Sequence, residues 1–239
     1  MRNRTPIIWI GLVIALVGLF LSGCKKAKME AGEVLQEKAA LMSVQGRGAF
    51  DQDFSFGPYR ATEIHRGWTR REAWNIFGYR DVQARQRFEF RLSGNSEWVC
   101  NCATGLDEQT LKTLAGESST VTFQLSTDIA FVATFMTPES RPWKMVLTRA
   151  TEDPAMKGFL SDKQTTLRVE GTNKLADTDI PLTQASGYFF RQGENLLGAV
   201  DVLNDGRVFL MPSDSAEISD ALACASSALL LFQDLSELK

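Results

Sequence analysis

Cys100 and Cys102 in "EWVCNC", with Cys224 far downstream in "ALACASS", are the residues of this 239-residue chain whose type and spacing come nearest to chemistry. On a strand, residues i and i+2 point the same way with Cα atoms about 7 Å apart, at the limit an undistorted disulfide can span. Cys224 would have to reach one of the two for a disulfide to form. The other reading is that all three are small buried apolar groups, since Cys100 and Cys102 share a face with Trp98 and Cys224 lies among alanines. Three thiols without a histidine beside them do not make a metal site. His65, in "YRATEIHRGW", is the only histidine, and no Gly-x-Ser-x-Gly, His-Glu-x-x-His or phosphate loop occurs. Carboxylates such as Glu63, Asp201 and Asp205 are plentiful, yet nothing in their spacing sets two of them across a scissile bond. No catalytic residue, cofactor or metal is assigned, and a binding protein is expected in preference to an enzyme. The alternative of a hydrolase or thiol-redox protein stays open.

The second concentration is of charge. Eight arginines and no lysine lie between Arg60 and Arg91, against Glu63, Glu72, Asp81 and Glu89, in a chain whose net charge is −3. Aromatic residues interleave with them in "HRGWTRREAWNIFGYR". A guanidinium holds phosphate with a planar fork, and aromatic rings sit at membrane interfaces. Arg66, Trp68, Arg70, Arg71, Trp74 and Arg80 therefore form a candidate patch for an anionic lipid or for a protein partner with an acidic surface. The plainer alternative is a solvated strand face paired with its own acids.

The N-terminus supplies a compartment. Ile7 to Leu21 are free of charge, follow Arg2 and Arg4, and span only about 22 Å as a helix, short of a hydrocarbon core of about 30 Å. That length is expected of a cleaved signal. Leu21-Ser22-Gly23-Cys24 resembles the lipobox of bacterial lipoproteins in all four positions. The resemblance implies cleavage before Cys24, a diacylglyceryl group on its thiol and an acyl chain on its new amine, enough for stable anchoring. It implies the bacterial cell envelope, and Lys25 in place of an aspartate after the cysteine implies the inner leaflet of the outer membrane, facing the periplasm. The membrane is then a partner through Cys24, an envelope protein or anionic lipid is the expected ligand, and nucleic acid is not. The enzymatic alternative becomes an envelope hydrolase or a thiol-redox protein.

The elements that must position these residues follow from period and punctuation. The chain divides into a signal peptide (1–23), a lipidated cysteine and tether (24–48) and a β-rich domain (49–239). Without residues 1–23 the net charge is −5, because Arg2 and Arg4 leave with them. The Lys-, Glu- and Ala-rich tether has a thin apolar stripe and is expected to be weakly ordered. An apolar content of 44% and a charged content of 23% are those of an ordinary globular protein, which argues against disorder.

Beyond the tether the period is two. Phe88, Phe90 and Leu92 alternate with charge, Ser93-Gly94-Asn95 turns, and Trp98, Cys100 and Cys102 share a face. The pattern recurs at Val121, Phe123 and Leu125; at Ile129, Phe131, Ala133 and Phe135; at Trp143, Met145 and Leu147; and at Leu167 and Val169. Gly193 and Asn204-Asp205-Gly206 mark tight turns. Ten to twelve short antiparallel strands are expected, with helical patterns at Asp107–Leu114 and Arg70–Phe77. Asp214 as N-cap and Glu217 three residues on predict a closing helix over 215–235. Ala221 to Gln233 carry no charge and are apolar on every side, which requires burial all round. This order of elements resembles the tubby C-terminal fold of tubby-like, scramblase and LURP-one-related proteins, which implies a closed barrel filled by its C-terminal helix. The competing architecture is a lipocalin-like barrel or β-sandwich with the helix packed outside.

Overall fold

The computed structural model describes residues 26–48, 52–66, 86–104, 130–149 and 155–237. Its strands are β1 (Ala40–Ser43), β2 (Phe54–Phe56), β3 (Tyr59–Arg66), β4 (Gln86–Ser93), β5 (Glu97–Thr104), β6 (Ala130–Met136), β7 (Trp143–Thr148), β8 (Lys157–Ser161), β9 (Thr166–Thr172), β10 (Gly187–Gln192), β11 (Asn195–Asp201) and β12 (Arg207–Leu210). Helix α1 (Glu33–Lys38) precedes β1, and helix α2 (Ala216–Glu237) follows β12.

Every strand from β2 to β12 pairs antiparallel with its sequence neighbour, and β1 comes back to pair β12 from Ala40↔Leu210 to Ser43↔Arg207. Gln45, just past β1, exchanges both backbone hydrogen bonds with Ser55 of β2 at 2.9 Å. That bridge joins the two ends of the strand order and nearly closes the ring. The turns are those the sequence marks. Gly193 (φ +58°) lies between β10 and β11, and Asn204 (φ +53°) and Gly206 (φ +94°) lie between β11 and β12.

The period-two sets face inward. Phe88, Phe90, Leu92, Trp98, Cys100, Cys102, Phe131, Ala133 and Phe135 belong to one core with the inward residues of β7 to β12. A register shift between Thr62 and His65 in β3, with Glu63 at φ +51°, turns both Ala61 and Ile64 toward that core.

Helix α2 lies inside. It contacts β5 and β6 on one side and β11 and β12 on the other, positions diametrically opposed in a ring of twelve. Only an axial helix can touch both. Every residue from Asp220 to Leu231 is buried. The fold is thus a nearly closed antiparallel barrel with its C-terminal helix packed within it, and the arrangement with the helix outside is not adopted. Among the described residues no helix is long and apolar enough to cross a membrane.

Two expectations need correction. The helix begins at Ala216, and its N-cap is Ser215, whose Oγ accepts from Ile218 N at 3.2 Å. Asp214 sits one residue too early, and Glu217 accepts from Trp143 Nε1 at 3.1 Å instead of closing a capping box. The second correction concerns the tether. Residues 26–48 are an ordered strap, with Met29, Ala31 and Leu35 buried against Ala199 and Phe209 on the outer face of β11 and β12, and their last part supplies β1. The barrel therefore starts at Ala40, ahead of the boundary drawn at 49. The Asp107–Leu114 and Arg70–Phe77 helical patterns and the Val121–Leu125 alternation lie outside the described residues.

Two substitutions on α2 should move stability in opposite directions. Leu229 is fully buried, and Leu229→Ala is expected to cost about 2–5 kcal/mol in urea unfolding. Ser227 Oγ is buried with no hydrogen-bond partner among the described residues, and Ser227→Ala is expected to gain about 1 kcal/mol.

Candidate functional site

Cys100 faces into the barrel from β5, opposite Phe90 of β4 and Phe135 of β6 in the register. Cys224 lies on α2 in the same core cluster, near enough to Cys100 that each thiol shifts the other's titration. Cys102 is next along the same strand face, and Cys224 helps to raise its titration. Axial docking of α2 therefore places Cys224 against the C-x-C strand. All three are buried free thiols. Burial pushes each of them above the usual thiol range, for Cys102 and Cys224 by a wide margin. Thiol–disulfide exchange needs a thiolate with access, which this site withholds.

Asp220, one helical turn ahead of Cys224, is a buried carboxylate that accepts four hydrogen bonds. Its Oδ1 accepts from Asn95 Nδ2 at 2.7 Å and from Asn95 N at 3.4 Å. Its Oδ2 accepts from Ser96 N at 3.1 Å and Trp98 Nε1 at 3.2 Å. Tyr59 lies near the same carboxylate, and burial, with the carboxylate second, pushes its phenol well above the ordinary tyrosine range. A carboxylate that is 1% exposed is thus engaged by four donors of the β4–β5 turn and the start of β5. It is a structural acid, with no lone pair left over for a substrate.

Of the candidate anionic patch, only Arg66 falls within the described residues; Trp68, Arg70, Arg71, Trp74 and Arg80 lie outside them, as does Cys24. Arg66 ends β3, half-buried, and donates from Nη2 to Gly48 O at 3.2 Å. Two of its described neighbours in the arginine-rich stretch are matched with acids: Arg60 with Asp53 at 2.6 Å and Arg91 with Glu63 at 2.8 Å. Both pairs are exposed and worth little to stability. His65 is exposed on β3, opposite Glu89.

A cleft that sequence reasoning missed opens at the other end of the barrel. About 530 Å³ in volume, it is bounded by the β6–β7 turn (Pro138, Glu139, Ser140, Arg141, Pro142), by Asp162 and Gln164 of the β8–β9 turn, and by Glu217 of α2. Each carboxylate is already held. Glu139 accepts from Ser96 Oγ at 3.2 Å, Asp162 from Gln164 N at 2.9 Å and Thr165 N at 2.6 Å, and Glu217 from Trp143. The cleft is polar, open and shaped for contact rather than enclosure. Its residues come from two turns and the start of α2, distant from one another in the chain, so no local signal could have gathered them. Among the described residues, no group of three or more His, Cys, Asp or Glu is placed to hold a metal ion.

No protein-family model matches the chain, and no curated protein or solved structure is significantly similar to it.

Two measurements follow from the interior. Asp220→Asn turns an amide toward four donors, and a loss of about 2–3 kcal/mol in chemical denaturation is expected. Alkaline pH should also destabilise the barrel. Burial raises the Cys100, Cys102, Cys224 and Tyr188 titrations in the folded state, whereas the unfolded chain loses these protons near about 8.5 for thiols and about 10 for phenols. Above those values the folded state binds more protons than the unfolded one. Stability is therefore complete below about pH 8.5 and falls as pH rises, by up to about 1.4 kcal/mol per pH unit per group. The urea midpoint of Tyr188→Phe should decline less steeply than wild type above about pH 10; parallel curves would remove the phenol from this account.

Proposed function

We propose that this protein is a lipid-anchored lipoprotein of the bacterial envelope that acts as a binding or assembly module, holding an anionic lipid or an envelope protein partner on the outside of its barrel. The observation that carries the binding half of this reading is the filled bore. Helix α2 occupies the axis along which a lipocalin-like carrier would hold its ligand, with Ala221 to Leu231 buried throughout. Recognition is left to the outer wall, the connections and the rim. The order of twelve strands followed by an axial helix is what supports the tubby-like part of the reading, and the lipobox at Leu21-Ser22-Gly23-Cys24 is what supports the anchor. A thiol-redox protein would need an exchanging sulfur at the surface, and Cys100, Cys102 and Cys224 are all buried.

The anchor is tested by exporting the full chain in a Gram-negative host. Wild type should partition with membranes and carry the mass of an acylated N-terminal cysteine, and Cys24→Ser should move to the soluble fraction. The ligand is tested with the unacylated Cys24→Ser chain on phosphatidylglycerol vesicles. Arg70→Glu combined with Arg71→Glu should reduce co-flotation at least fivefold, and undiminished flotation would dismiss the arginine patch as a lipid site.

A further inference from the structure

We infer that the barrel stands on the bilayer by its β11–β12 end, with the rim cleft at the opposite end facing the aqueous compartment. This rests on the lipidation of Cys24 proposed above and adds the orientation that the strap enforces.

Because each strand reverses the one before it, the barrel's connections alternate between two ends. The β2–β3, β4–β5, β6–β7, β8–β9 and β10–β11 turns and the start of α2 share one end; the connections after β1, β3, β5, β7, β9 and β11 share the other. The chain enters at the second. Ala27 O accepts from Asn204 Nδ2 at 2.6 Å, and Lys26 Nζ pairs with Asp205 at 2.6 Å, both in the β11–β12 turn. Ala176 N donates to Lys28 O at 2.9 Å and Glu30 N to Lys174 O at 3.2 Å, from the β9–β10 connection. Met29 N donates to the buried Asp201 carboxylate at 3.1 Å, and the Met29 side chain is 1% exposed. The strap is locked from Ala27 onward.

Cys24 is three residues before Ala27, so a fully extended chain carries it no more than about 11 Å away. The strands of the wall are up to eight residues long, or about 26 Å, and even tilted they put the far rim well beyond that reach. An acylated Cys24 therefore holds the β11–β12 end close to the membrane and cannot hold the barrel there by its β4–β5 end. Ile180, 73% exposed in the β9–β10 connection, also lies at the membrane side.

The test uses the full acylated chain, reconstituted in phosphatidylethanolamine–phosphatidylglycerol vesicles that contain a headgroup-level spin-labelled lipid. Bimane is attached at Ile180→Cys or, separately, at Glu194→Cys in the β10–β11 turn; Cys24 is blocked by its lipid and the other native thiols are buried. Quenching at 180 is expected to exceed that at 194 at least threefold. A second pair, Thr183→Cys and Asp214→Cys, reads the same two ends should either first variant misfold. Equal quenching at both ends, or stronger quenching at 194 and 214, on vesicle-bound acylated protein overturns the orientation while leaving the anchor intact. A purified chain whose mass lacks acyl groups overturns the anchor, and the orientation with it.

Discussion

A ring of twelve strands has a bore too wide for its own inward side chains to fill, since about eight strands already reach that limit. Everything else in this molecule depends on filling that space. The filler is α2, and it meets the requirement because it is uncharged from Ala221 to Gln233 and narrow where Ala221, Ala223, Ala225, Ser226, Ser227 and Ala228 let the wall approach. The wall is built to match, with Phe88, Phe90, Phe131 and Phe135 reaching in from β4 and β6. Burying these surfaces together provides the dominant stabilisation, and neither partner has another apolar surface large enough to replace it.

A smooth apolar helix in an apolar bore has no intrinsic register, so polar contacts at its two ends have to set one. Asp220 does this at the β4–β5 end by accepting from Asn95, Ser96 and Trp98. Arg47 does it at the other end, where Nη2 donates to Leu230 O at 3.0 Å while Nη1 holds the carbonyls of Val202 and Asn204. Sliding the helix by one turn, about 5.4 Å, would break both sets at once. Leaving the Asp220 carboxylate buried and unpaired would cost more than the bonds themselves contribute, so the contact specifies position more than it adds stability. The same logic applies to the strap. Asp201, 1% exposed, accepts from Arg207 Nη2 at 2.6 Å and Nε at 3.0 Å as well as from Met29 N, while Arg207 stacks over Phe209 at 5.4 Å. One carboxylate fixes both the β11–β12 turn and the entry of the N-terminal segment.

What could be read from the sequence was what depends on local period. The inward sets on β4 to β7 and β9, the turns at Gly193 and Asn204-Asp205-Gly206, and the burial of the last helix all follow from two- and 3.6-residue patterns and from residues that tolerate positive φ. What depends on distant surfaces could not be read. Met29, Ala31 and Leu35 make too thin a stripe to announce a packed segment, and they are buried only because Ala199 and Phe209 present an apolar outer face to them. Ser215 and Asp214 are both acceptable N-caps by type, and the choice is made where Trp143 draws Glu217 away from a capping box. The proximity of Cys100 to Cys224 spans most of the domain and exists only once the helix is axial. The rim cleft has the same origin, with Glu139, Asp162 and Glu217 brought together by barrel closure.

A barrel whose axis is occupied by its own chain has given up the enclosed cavity in which small molecules are most readily held. Its remaining recognition surfaces are convex walls and the two rims, which suit extended contacts with a membrane or a protein. The strap sharpens this division. By running from the β11–β12 turn along the outer wall to β1 at the other end, it covers the apolar patch at Ala199 and Phe209 and commits the N-terminus to one rim. The two rims are thereby made inequivalent: one receives the chain that leads to Cys24, and the other carries the start of α2 and the open cleft. A ring that is nearly symmetric in its strands acquires its direction from the segments at either end of the chain, the strap outside and the helix within.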